Sequence, residues 1–176
     1  MRDTSIGWMD CKALAALLMN AETKIQVLEL GGNEMDDRCM KILIGALVKN
    51  RITSVGWCAL SAYVSNHDCP LRMIDLSLNK IGDEGITSLG NLLAINTALK
   101  LKYLNLLGCK SVTSTGWKGF SMGLRTANTL LEGLMLDGCE INDEEAVAIV
   151  TALSRNSSFT TLSLCRNESV TSAGWI

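Results

Sequence analysis

The chain has 176 residues, of which 48% are apolar and 19% charged, and its formal net charge is −2. That is enough apolar material for one domain with a substantial core, and it excludes a disordered chain. The near-neutral, mixed charge gives no electrostatic reason to expect nucleic acid or an anionic membrane surface as partner.

The start, "MRDTSIGWMDCK", is polar and does not read as a signal peptide, and "ALAALLM" (13–19) is a predicted helix too short to span a bilayer. "IQVLELGGN" (25–33) follows, with the alternating apolar positions of a strand. The acidic turn "EMDDR" (34–38) leads into a second helical run, "ILIGALV" (42–48). At "VKNRITSVGW" (48–57) one helical pattern runs straight into the start of the next.

From there the order is regular. "LRMIDLSLN" begins at Leu71, "LKYLNLLGC" at Leu101, "LEGLMLDGC" at Leu131 and "FTTLSLCRN" at Phe159, in steps of 30, 30 and 28. With the segment at Ile25, each fits LxxLxLxxN, and Cys109 and Cys139 stand in for the final Asn. The LxL core is a short strand with alternate residues on one side, and the final Asn or Cys turns inward to cap backbone groups of the following turn. After each strand comes a polar turn and a helix. "KIGDEGITSLGNLLAIN" (80–96) has Ile86, Leu89 and Leu93 at helical spacing, with Asp83 expected as N-cap and Asn96 as left-handed C-cap. "EINDEEAVAIVTALSRN" (140–156) repeats it with Asp143 and Asn156, and "SVTSTGWKGFSMGLRTAN" (111–128) with Ser114 as cap and Trp117 in the slot of Ile86.

A longer period lies above this one. "TSIGW" (4–8), "TSVGW" (53–57), "TSTGW" (113–117) and "TSAGW" (171–175) alternate with the acidic turns. Trp57 to Trp117 is 60 residues and Trp117 to Trp175 is 58, but Trp8 to Trp57 is only 49. A strand and its flank are therefore missing near residues 50–51 of what is otherwise one domain over 1–176. The segment is excised from a longer chain, or lost from the gene, or a divergent repeat joins two helices without a strand. The last case would leave a hole in the sheet.

Five matches to this pattern resemble a leucine-rich repeat, and the long unit with its "IGDEG" and "INDEE" turns resembles the ribonuclease-inhibitor-like class. That resemblance implies an α/β solenoid, a horseshoe with a parallel sheet on the concave face and helices on the convex face. Neither end reads as a capping repeat, so a fragment of a longer array, or a piece docked in a larger assembly, is expected.

The residues that could carry chemistry read as structural. The Trp slot is shared with Ile86 and Ala146, so it faces the core, and the Gly before it is expected to let the helix approach the sheet. Seven cysteines, an odd number with no CxxC pair, read as reduced thiols in an intracellular reducing compartment, the cytoplasm or an organelle interior. Cys109 and Cys139 read as buried weak donors. "HDC" (67–69) forms no nucleophile–base chain, "GDEG" (82–85) is no phosphate loop, and the acids at 36–37 and 143–145 suit helix caps and first turns better than calcium. No metal site, cofactor or catalytic residue is expected.

What remains is the open sheet face. The period of two points Glu29, Met73, Asp75, Ser77, Tyr103, Asn105, Leu107, Met135, Asp137 and Ser163 outward. Met73, Tyr103, Leu107 and Met135 form an apolar cluster rimmed by polar groups, the composition of a protein-binding surface. The expectation is a non-enzymatic binding or scaffold module whose partner is another protein, as in a multi-subunit complex, with no nucleic acid and no membrane insertion. The resemblance also implies three other uses: a Ran-type GTPase activator, the sensor region of a nucleotide-binding receptor, and a nuclease inhibitor.

Overall fold

The computed structural model describes residues 6, 8–18, 25–49, 71–95, 101–126 and 130–172. In chain order the elements are α1 (Trp8–Leu18), β1 (Val27–Glu29), α2 (Asp37–Lys49), β2 (Met73–Asp75), α3 (Asp83–Ile95), β3 (Tyr103–Asn105), α4 (Ser114–Thr126), β4 (Gly133–Met135), α5 (Asp143–Leu153) and β5 (Thr161–Ser163). The strands pair in parallel in the order β1-β2-β3-β4-β5. Each strand meets the equivalent residue of the next: Val27 aligns with Met73, Met73 with Tyr103, Tyr103 with Gly133 and Gly133 with Thr161. Identical register in every pair is what a repeated LxxLxLxxN produces, because each unit offers its backbone groups at the same height.

The leucines of the motif point between sheet and helices. Leu30, Leu76, Leu106 and Leu136 are buried, as are Leu28, Ile74, Leu104 and Leu134 two residues before them. Ile86, Trp117 and Ala146 occupy one slot on the helix side, all buried, and Phe120 packs its ring edge-on to Trp117 with centroids 6.0 Å apart. The Trp slot at 117 is therefore core, as its spacing predicts. The burial of Trp8, and residues Trp57 and Trp175, lie outside what the structure describes.

The sheet has no hole between β1 and β2. Val27, Leu28 and Glu29 pair directly with Met73, Ile74 and Asp75. The helix layer keeps step: Asp37 at the start of α2 accepts from the backbone of Gly82 (2.7 Å) and Gly85 (3.0 Å) at the start of α3. The two units stack as immediate neighbours whatever the intervening chain does. Residues 50–70, where the missing strand is expected, lie outside the described residues, with "HDC", Cys58 and Cys69 among them.

The helix starts differ from expectation. Asp83, Ser114 and Asp143 are first helical residues, not N-caps. The N-cap of α5 is Asn142, which forms a capping box with Glu145: Glu145 N donates to Asn142 Oδ1 (3.2 Å) and Asn142 N to Glu145 Oε2 (2.8 Å). The aspartates instead reach across to the next unit. Asp83 accepts from Thr113 N (2.7 Å) and Oγ1 (2.6 Å), and Asp143 from Thr171 N (2.7 Å) and Oγ1 (2.6 Å). These two donations hold the Asp143 carboxyl below its ordinary range. The alternation of acidic turns with "TS" turns is thus a row of inter-unit hooks. Gly116 is needed for the same reason: a Cβ there would stand 2.4 Å from Asp83 Oδ1, so the glycine admits the preceding helix, not the sheet. Asn156 is no left-handed cap either. The C-cap of α5 is Ser154, in right-handed geometry, and Asn156 Nδ2 donates to Leu131 O (3.0 Å). Asn96 lies outside the described residues.

Candidate functional site

The outward strand positions form rows across the sheet. Val27, Met73, Tyr103, Gly133 and Thr161 make one, and Glu29, Asp75, Asn105, Met135 and Ser163 the next. Tyr103 is exposed, and Met73, Asn105, Met135, Glu29 and Ser163 are half-buried. Gly133 organises the centre: a Cβ on it would stand 2.8 Å from the Tyr103 ring and 3.5 Å from the Met135 methyl. Tyrosine and methionine therefore meet over a bare patch of backbone, with Met73 beside Tyr103 in register.

Tyr103 is held at its far end. Its hydroxyl donates to Glu132 Oε2 (3.1 Å), and Lys102 Nζ donates to Glu132 Oε1 (2.6 Å). The bond to Glu132 raises the phenol's pKa, and the donations from Lys102 and Tyr103 lower that of Glu132. The sequence reading missed Lys102 and Glu132. They sit at the position preceding the outward row, and only the structure shows that the tyrosine leans one unit forward to meet Glu132.

The polar rim is less free than its spacing suggests. Asp75 is buried, a departure from the outward carboxylate expected. Its Oδ1 accepts from Ser77 N (2.9 Å), and it fills the space beside Gly31. Asn105 Oδ1 accepts from Leu107 N (3.1 Å) in the same kind of short-range turn. Asp137 accepts from Ser163 Oγ (2.5 Å) and Cys165 N (2.7 Å) of the next unit. These side chains brace the turns that follow the strands. Leu107 stands two residues beyond β3, away from Tyr103, in a groove it shares with Leu78. Ser77 is half-buried in the corresponding turn of its own unit.

The inward slot behind this face is a second row. Asn79 Nδ2 donates to Leu30 O and Leu76 O (2.9 Å each) while its Oδ1 accepts from Met35 N (2.9 Å). Asn167 does the same with Leu136 O, Leu164 O, Cys139 N and Ile141 N. Cys109 Sγ donates to Leu76 O (3.4 Å) and Cys139 Sγ to Leu106 O (3.1 Å). Burial pushes these thiols up to about 12 and about 11, which keeps them neutral and unreactive. Cys11, Cys39, Cys109 and Cys139 are free and buried, and Cys165 is free and exposed. Among the described residues no three His, Cys, Asp or Glu side chains gather as a metal set, and no helix is long and apolar enough to cross a membrane.

Residues 67–90 match the family described as Leucine Rich repeat. Among solved structures the chain is similar to "Leiomodin-1 Actin-Binding Site 2 (ABS2)", with a TM-score of 0.64 and 14% identity over 90% of this chain and 80% of that one. The chain is a leucine-rich repeat solenoid. No curated protein matches its sequence. In all, 51 chains of known structure match the solenoid, so the architecture by itself does not select a function.

Proposed function

We propose that the solenoid is a non-enzymatic protein-binding module that receives its partner on the concave sheet face. The observation that carries this reading is the uncovered sheet. Parallel sheets are ordinarily buried on both sides, whereas here the Tyr103–Met135 patch over Gly133 has no described element against it. A rigid stack presents those side chains at fixed pitch, so little conformational freedom is lost on docking. Tyr103 is pinned by Glu132, a preorganised aromatic anchor of the kind that dominates binding surfaces. The long helical unit is in keeping with the ribonuclease-inhibitor-like class, and a scaffold role inside a larger intracellular assembly suits a face of this extent.

The test is site-directed photocrosslinking in extract from the native source. A photoreactive residue replacing Tyr103 should capture a discrete partner, and the same group at Val147 on α5 should not. Tyr103→Ala and Met135→Ala should each weaken capture of that partner by about tenfold, the loss of one anchor. Crosslinks from Val147 alone would move the binding face to the helices. Likeness to an actin-binding module makes purified actin the first defined partner to try. Stimulated GTP hydrolysis by a small GTPase would replace the scaffold reading with a Ran-type activator.

A further inference from the structure

The turn after each strand places a residue in left-handed backbone five positions beyond the strand's first residue, and the turn after β4 adds Glu140 at φ 60°. Gly32, Gly108 and Gly138 hold that position in three units, with φ of 71°, 70° and 61°. In the other two the residues are Leu78 and Arg166, at φ 54° and 57°. Left-handed backbone disfavours any residue with a Cβ, and a bulky aliphatic one most. Leu78 gains no burial in return, because it is 61% exposed.

These two residues bracket a groove of about 750 Å³ whose floor includes Gly108 and Gly138. At one end Leu78 lies across Gly108, its Cδ2 2.5 Å from where a Cβ on that glycine would stand, and Leu107 adds a second apolar wall. At the other end Arg166 makes no ion pair with any described residue. Most charges between are committed: Lys110 faces Glu140 at 3.7 Å, and Asp137 is occupied by Ser163 and Cys165. Glu168, two residues past Arg166, opposes an incoming anion at that end.

The geometry points to a peptide-docking groove. It suits an extended segment of a partner protein that rests a large apolar side chain on Leu78 and Leu107 and gives a carboxylate to Arg166. The two ends are three units apart, about 14 Å at ~4.8 Å per strand, which an extended chain covers in about four residues. A guanidinium accepts a carboxylate through two parallel hydrogen bonds, so it reads the acid specifically. Nucleic acid is disfavoured, because Asp137, Glu140 and Glu168 outnumber Lys110 and Arg166. The inference rests on the protein-binding reading and adds a second anchor, on the lip of the solenoid where the strands end.

Fluorescent decapeptide pools test it, with Leu fixed at one position, Asp or Lys fixed four residues later, and Gly or Ser elsewhere. The Asp pool should bind the intact protein about threefold more tightly than the Lys pool, the worth of an ion pair to the exposed Arg166. Arg166→Gly should erase that preference, and Leu78→Gly should weaken both pools. Neither variant should unfold at a lower temperature than wild type, because each installs the residue its sister units carry. Weaker binding without weaker folding separates a contact role from a structural one. Equal binding of the two pools, or wild-type binding by either variant, overturns the groove. If crosslinking from position 103 still succeeds, only the groove is lost; if both fail, the protein-binding reading falls as well.

Discussion

The inward slot of the turn is filled by Asn33, Asn79 and Asn167 in three units and by Cys109 and Cys139 in the two between Asn79 and Asn167. The backbone task is shared. Cys109 Sγ bonds the same Leu76 carbonyl that Asn79 reaches from its own unit, and the N–H of Asn79 lies beside the Cys109 sulfur. The bonding differs greatly. Asn79 donates to carbonyls of two units and accepts a backbone N–H from the earlier one, whereas Cys109 offers a single long S–H bond. The amide crosses to the earlier unit with two bonds of 2.9 Å, while the thiol crosses with one long S–H bond and leaves more of the cohesion to packing. The helix of the Cys109 unit buries Trp117 and Phe120.

The comparison breaks most sharply at Asn79. Asn79→Ala strands the buried Met35 N–H and removes the bonds to Leu30 and Leu76, and should cost about 3 kcal/mol, read from the urea midpoint. Asn79→Cys should recover part of that loss and no more, since sulfur accepts poorly from the N–H. An Asn79→Cys variant as stable as wild type would mean that the amide bonds contribute little. Next in size is Cys139→Ala, which deletes the thiol's weak bonds to Leu106 O and Asp137 O and a small buried volume and should cost about 1 kcal/mol.

The smallest effect is in pH. Folding raises the Cys109 and Cys139 thiols above their ordinary value of 9.0, to about 12 and about 11. The unfolded chain therefore loses these protons first. Their contribution is complete below pH 9 and is lost as pH rises from there through the folded values. Urea midpoints measured from pH 8 to 11 should fall less steeply in the Cys109→Ala and Cys139→Ala double variant than in wild type. In the same range iodoacetamide should label Cys165 readily and leave Cys109 and Cys139 untouched until the chain unfolds.

Much of this solenoid is legible in one dimension. LxxLxLxxN states the strand, its buried face and its inward polar slot together, because a period of two allows only one face to be apolar. Ile86, Trp117 and Ala146 reveal themselves as one core position by spacing alone. The site is less legible. Glu29, Met73, Tyr103, Met135 and Ser163 stand on the outward rows as expected, but Asp75 is buried in its own turn, and Leu107 sits in a groove with Leu78. Period and polarity say which side a residue faces. They do not say whether a neighbouring backbone N–H will claim its carboxylate.

The sequence by itself determined the unit: its length, the strand, the helix behind it and the order of stacking, all local consequences of where apolar residues recur. Only the tertiary structure decided what joins one unit to the next. Asp37, Asp83 and Asp143 look like helix-dipole acids in the sequence and become hooks on Gly82, Thr113 and Thr171. The direct pairing of β1 with β2 across the shortened stretch was decided the same way. The physical reason is that a hydrogen bond between units depends on the distance between two helices, and that distance is set by packing across the stack.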